Sequence, residues 1–320
     1  MKDPPECGRT FIPTGRCLDV ARSVSMARDV QNERPANSFR LTKVGVRGVA
    51  KPVQVRRPGR TVTLPTMFDV FVDVPASQRG SHLSRHLEVI GEIVDDSVRR
   101  PVPSLEDLCH TIATALLDRH EYASTSEVWA RADYFLERTS PWGRKSLEPY
   151  RLVAKATAKR GRSVTVHKAI GVEVVGMTAC PCAMETIRSE LEQRSPDIRK
   201  LPEDFPIITH NQRNRTALML DEPEGFDLEA DDLVEIVEDS LSSPTYELLK
   251  RPEEARLVEA AHRKPRFVED VVREVLARIL KRYAKLPNSV IVSVKSESEE
   301  SIHKHNAFAE RTTTLGELRA

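Results

Sequence analysis

From Leu41 onward the chain alternates. Apolar and β-branched residues recur at Val44, Val46, Val49, Val53 and Val55, and again at Val62, Leu64, Val70, Val72 and Val74. A period of two turns one face of each segment to a core and the other to water, so two strands are expected, joined near Pro58-Gly59. The period then lengthens. Leu83, Leu87, Ile90 and Val94 stand at helical spacing within residues 81–98, and Ser104 is placed to cap a second helix carrying Leu105, Leu108, Ile112 and Leu116. Alternation returns over 127–136 and 150–158, with a Pro/Gly-containing turn between them. The first half therefore reads strand, strand, helix, helix, strand, strand.

The second half repeats that order. Strands are expected at 163–178 and 205–220, helices at 228–240 and 267–283, and strands at 289–297 and 303–313. The repetition lies in the order of elements and not in residue identity. An antiparallel sheet with a helix pair on one face satisfies both copies, because each strand has one apolar and one polar face. The expected class is α+β: two tandem ββααββ units, 41–160 and 161–320, behind an N-terminal arm at 1–40. Arg160-Gly161-Arg162 serves equally as a boundary or as a hairpin turn within one continuous structure. Sheets of this kind tend to assemble edge to edge, so homo-oligomers with sites between sheets are expected.

Composition narrows the class of function. With 49 Lys plus Arg against 48 Asp plus Glu, the net charge of +1 supplies no global field toward nucleic acid or membrane. An anionic ligand must be held locally. The basic clusters Arg56-Arg57 and Lys159 to Arg162 are short, and aromatic residues make up 5% of the chain, too few for a base-stacking platform. No apolar run approaches the roughly 18 residues that span a bilayer, and the start of the chain has no apolar signal core, so a cytoplasmic protein without a membrane partner is expected. Five thinly scattered cysteines do not resemble a disulfide framework.

Chemistry concentrates in the second repeat. Gly176 to Glu185 reads GMTACPCAME and falls where a strand ends and a helix begins, with Cys180 and Cys182 expected on one side of an extended segment. On their own these thiols could be small buried hydrophobes or a redox pair, although Cys-Pro-Cys lacks the two-residue spacer of a thioredoxin motif. Thr209-His210-Asn211-Gln212-Arg213 is expected on the next strand, Lys250-Arg251-Pro252-Glu253-Glu254 at a helix start, and Glu300 to His305 on the last strand, with His303 and His305 on one face. Thiolate, imidazole and carboxylate form a credible donor set for Zn or Fe(II). A closed structural zinc knot uses the same donors, and spacing does not show that they converge.

The strings GMTACPCAME, THNQR, LLKRPEE, FVEDVVR and ESIHKHNAFAER, with FDVFVDVPASQRGSHLSRHLE in the first half, resemble the prokaryotic type IB GTP cyclohydrolase superfamily, in consistent order from about Val44 to Arg311. The long stretch 183–209 between Cys-Pro-Cys and His-Asn-Gln-Arg, with its own expected helix at 183–193, points to the archaeal branch that opens methanopterin biosynthesis. The resemblance implies a tunnelling fold (T-fold) and GTP as substrate. It also implies Fe(II), with Zn or Mn as substitutes, held by Cys180, His210 and Glu254, with His303 as a further ligand or acid/base. Cys182 would be a second thiol at the site, and Glu300 and Glu269 acidic active-site positions, Glu269 anchoring the guanine. Arg213, Lys250 and Arg251 are candidates for the triphosphate. The archaeal branch implies 7,8-dihydroneopterin 2′,3′-cyclic phosphate as product, and the bacterial branch dihydroneopterin triphosphate.

Overall fold

The structure, a computed structural model, describes residues 29–57, 59–202 and 205–320. Most of the expected arm, Pro58 of the first turn and two residues of the 183–209 stretch lie outside them. Strands β1 (Leu41–Arg57) and β2 (Arg60–Val74) lead into helices α1 (Leu83–Arg99) and α2 (Leu105–Arg119), and these into β3 (Thr125–Thr139) and β4 (Lys145–Arg160). The second repeat runs β5 (Val164–Ala179), α3 (Pro181–Arg194), β6 (Asn211–Glu222), α4 (Ala230–Ser240) and the short β7 (Ser243–Pro244). It ends with α5 (Arg251–Arg263), α6 (Val268–Arg282), β8 (Ile291–Glu299), β9 (Ala307–Thr314) and α7 (Leu315–Arg319).

All the strands of the main path pair antiparallel in the order β1-β2-β3-β4-β5-β6-β8-β9, and β7 adds to β5. The 160–162 segment is a tight hairpin between β4 and β5, whose register runs from Arg151↔Glu173 to Arg160↔Val164. Both repeats therefore share one sheet, while each keeps its own helix pair. Ser104 caps α2 as expected, its hydroxyl accepting the Asp107 N–H at 3.1 Å. In α6, Val268, Val271, Val272, Val275 and Ile279 form the buried stripe that a 3.6-residue period lays against a sheet. Val271, Val272, Val275 and Ile279 join Val172, Val174, Leu218, Leu220, Val292 and Val294 in one apolar core that extends into the first repeat.

Two strand ends differ from expectation. β6 begins at Asn211 and not near 205, and β9 begins at Ala307 and not at 303. The β8–β9 ladder opens after Ser298↔Ala307. Glu300 to Asn306 therefore form a connection, and His303 and His305 project from it as exposed, stacked rings 5.2 Å apart.

β5 is where the repeats part. It pairs with β4 only as far as Glu173 and then with β7, Gly176 opposite Pro244 and Met177 opposite Ser243. The approach leaves no room for a side chain: a Cβ on Gly176 would lie 2.4 Å from Leu241 Cδ1 and 3.0 Å from the Ser243 carbonyl oxygen.

Candidate active site

Ala179, the last residue of β5, is the point on which the motifs converge. Its N–H donates to Ser242 Oγ at 3.2 Å, and its carbonyl accepts the Arg266 N–H at 3.0 Å. One residue on, the Cys180 N–H donates to the His210 carbonyl at 3.1 Å. The turn before β6, the end of the α4 segment and the start of α6 therefore meet at one strand end, although up to 86 positions separate Cys180 from Arg266 along the chain.

Cys-Pro-Cys is not extended. Pro181 fixes the first helical position of α3, and Cys180 is its N-cap, with Sγ 3.5 Å from the Ala183 N–H. Proline at the first helical position turns the chain directly from strand to helix, so Cys182 stands exposed in the first turn while Cys180 is half-buried. Both are free thiols.

His210 is largely enclosed. Its Nδ1 lies 3.0 Å from Gln212 Oε1 and 3.8 Å from a Glu300 oxygen, and the Gln212 amide donates to the other Glu300 oxygen at 3.3 Å. That donation fixes the amide so that its oxygen faces the ring, which places the ring proton on Nδ1 and leaves the Nε2 lone pair available. The neighbouring Thr209 hydroxyl is buried with no partner among the described residues. Behind it, buried His262 of α5 sets Nε2 3.1 Å from the Thr209 carbonyl oxygen and Nδ1 2.6 Å from that of Val258, tying α5 to the start of β6. Gln212 and His262 had no expected role. Gln212 lies inside the quoted THNQR string, and His262 has no sequence signal beyond its residue type.

The remaining candidates are spread around this centre. Glu269 is exposed in the first turn of α6, close along the chain to the Arg266–Ala179 contact. Glu254 is exposed in the first turn of α5, and no contact joins it to Cys180 or His210. Arg213, Lys250 and Arg251 are exposed and form no ion pair with a carboxylate among the described residues. Among the described residues no three His, Cys, Asp or Glu side chains stand together as a group that could hold a metal ion. The structure thus pairs the His210 and Glu300 side chains, brings the Cys180 backbone to that of His210, and leaves Glu254 and His303 apart from them. The donor types at Cys180 and His210, a thiol and an imidazole on two residues joined through the backbone, suit a borderline-soft divalent ion.

A continuous antiparallel sheet carrying a helix pair on one face of each ββααββ repeat defines the tunnelling-fold class. The uricase of Arthrobacter globiformis shares this fold, with a TM-score of 0.52 over 86% of this chain and 93% of that one at 7% identity. At the level of sequence, the family model described as "Type I GTP cyclohydrolase folE2" matches residues 27–309. The GTP cyclohydrolase MptA of Methanosarcina mazei is 42% identical over 91% of this chain and 96% of its own length. That of Methanothermobacter thermautotrophicus is 42% identical over 91% and 94%. The chain belongs to the type I GTP cyclohydrolase folE2 family.

Proposed function

We propose that this protein hydrolyses GTP at guanine C8, releasing formate and giving 7,8-dihydroneopterin 2′,3′-cyclic phosphate, the first step of methanopterin biosynthesis. The observation that carries the reading is the meeting of Cys180 and His210 at the end of β5, with Gln212 orienting the imidazole and Glu300 beside it. Family membership and the MptA relatives supply the reaction class.

In this reading Cys180 and His210 would hold Fe(II), or Zn or Mn in its place; the resemblance adds Glu254 and His303, which stand apart from that pair among the described residues. Such an ion brings the pKa of a bound water toward neutrality, supplying the nucleophile for C8. Glu300, 3.8 Å from His210 Nδ1, would accept a proton during ring opening, and the resemblance adds Cys182 and His303 to the catalytic groups. Glu269 anchors the guanine edge from the first turn of α6. Arg213, Lys250 and Arg251, free of carboxylate partners, meet the triphosphate. Water adds at C8, C8 leaves as formate, the ring recloses on ribose carbons, and the cyclic phosphate forms as pyrophosphate departs. Self-association into a homodimer or homotetramer fits the two sheet edges, where Phe39, Leu41 and Phe308 are exposed. No helix among the described residues is long and apolar enough to cross a membrane, in keeping with a cytoplasmic enzyme.

The test is anaerobic incubation of metal-stripped protein with GTP, adding Fe(II), Mn(II) or Zn(II) in parallel and identifying the pterin by mass. Formate with a cyclic phosphate supports the proposal in full. Formate with a triphosphate moves the protein to the bacterial reaction, and no formate with any metal overturns the reading.

A further inference from the structure

The β3–β4 hairpin of the first repeat grips the second. Arg138 pairs with Glu238 of α4, and the Tyr150 hydroxyl donates to the same carboxylate at 2.5 Å. Between Tyr150 and the tip, both oxygens of buried Glu148 face the Glu247 N–H, at 3.2 and 3.1 Å. At the tip, Arg144 sets Nε and Nη2 on the two carboxylate oxygens of Glu253, at 3.4 and 3.3 Å. Glu253 in turn accepts the Lys250 N–H at 2.7 Å, closing the start of α5.

The segment held in this way has little structure of its own. Residues 245–250, between β7 and α5, belong to neither helix nor strand. Within the second repeat, the Thr245 hydroxyl donates to the Val175 carbonyl at 3.1 Å. Yet this link leads directly into Lys250, Arg251 and Glu254. It also walls a cleft of ≈ 380 Å³ that both repeats line, Glu148 and Tyr150 on one side and Thr245, Tyr246 and Arg213 on the other. A two-point guanidinium–carboxylate contact fixes direction as well as distance, and a carboxylate on a backbone N–H fixes the chain itself.

We infer that Arg144 and Glu148 are positioning residues, through which a repeat carrying none of the candidate site residues sets where Lys250, Arg251 and Glu254 stand. The inference rests on the cyclohydrolase reading for its consequence in catalysis, but its geometry can be tested without it.

Amide hydrogen exchange of the metal-free protein reads the geometry directly. Arg144→Met should speed exchange across residues 247–254 about tenfold, with β5 and α6 unchanged. Glu148→Gln should do the same, centred on Glu247, and keeps the test available if Arg144→Met does not fold. In the metal-loaded enzyme kcat for formate release should fall about tenfold with a smaller change in KM, and Arg144→Lys, which keeps the charge without the fork, should recover part of it. Unchanged protection of 247–254 in both variants, or full kcat in a variant whose link has loosened, overturns the inference. Wild-type protein that releases no formate would remove the cyclohydrolase reading instead, and the exchange result alone would then decide the positioning.

Discussion

The Cys180 N–H donates to the carbonyl of His210, and this 3.1 Å contact makes neighbours of two motifs that the chain keeps 30 residues apart. It extends the β5–β6 ladder one step beyond Ala179↔Asn211, just where α3 begins. The backbone thus brings a cysteine and a histidine to one strand end.

Gln212 should matter to that site without touching substrate. Gln212→Leu removes the partner that fixes His210 Nδ1, and affinity for Fe(II) or Zn should fall about 10–100-fold. Competition against a chelator measures this, with Cys180 and Cys182 thiol titration as a control for folding. Equal affinity in the variant would show that His210 needs no such orientation.

Gly176→Ala should destabilise the protein by roughly 1–3 kcal/mol, because the added methyl meets Leu241 and the Ser243 carbonyl and neither can retreat without moving β7. Urea unfolding reads the loss. An unchanged midpoint would mean that β7 is free to shift.

Acid should unfold the first repeat early. His86 and His120 are fully buried with ring centroids 4.4 Å apart, and the Nε2 of each lacks a partner among the described residues. Burial chiefly, then the proximity of His86, Arg85 and His82, pulls the His120 pKa down to about 3, and burial lowers that of His86 as well. The unfolded chain then binds protons that the folded one refuses. Stability is full above the ordinary histidine pKa and falls below about 6.5, by about 1.4 kcal/mol per pH unit for His120, with a further loss from His86. Urea midpoints from pH 7.5 to 5 should show that slope, and His120→Asn should flatten it. A variant with the wild-type slope would exclude His120 as its source.

Glu222 should act in the opposite sense. It lies buried near Glu106, and desolvation followed by that second carboxylate raises its pKa to about 7 despite Lys168 at 3.3 Å. The folded protein therefore holds a proton that the unfolded chain has lost. This contribution is present below the ordinary glutamate range and disappears as pH rises toward 7. Glu222→Gln should gain stability relative to wild type between pH 5 and 8, whereas a constant difference would place the proton elsewhere.

Most of the fold was legible because period-2 and period-3.6 patterns report which face of a segment is buried, as in Val70, Val72 and Val74 or in Val271, Val275 and Ile279. The errors lie where that signal stops. His303 and His305 continue an apparent alternation past the point where β8 and β9 lose their hydrogen bonds, and Phe205 and Ile207 alternate ahead of Asn211, where the β5–β6 ladder begins. Cys180 and Cys182 fall at the junction of an expected strand and an expected helix at 183–193, and the helix starts two residues sooner because Pro181 takes its first position. At the site, residue types and motif order single out Cys180, His210 and Glu300 as candidates, and their roles come from the resemblance. The contacts of Gln212, His262, Arg144 and Glu148 depend on the tertiary path and leave no periodic trace.

The most direct test follows isotopically labelled C8 of GTP. Metal-loaded wild-type protein should release the label as formate in step with pterin formation, and Cys180→Ala and His210→Ala should fold but release essentially none. Labelled formate from both variants at the wild-type rate, or none from wild type with any of the three metals, would contradict a cyclohydrolase site at the end of β5.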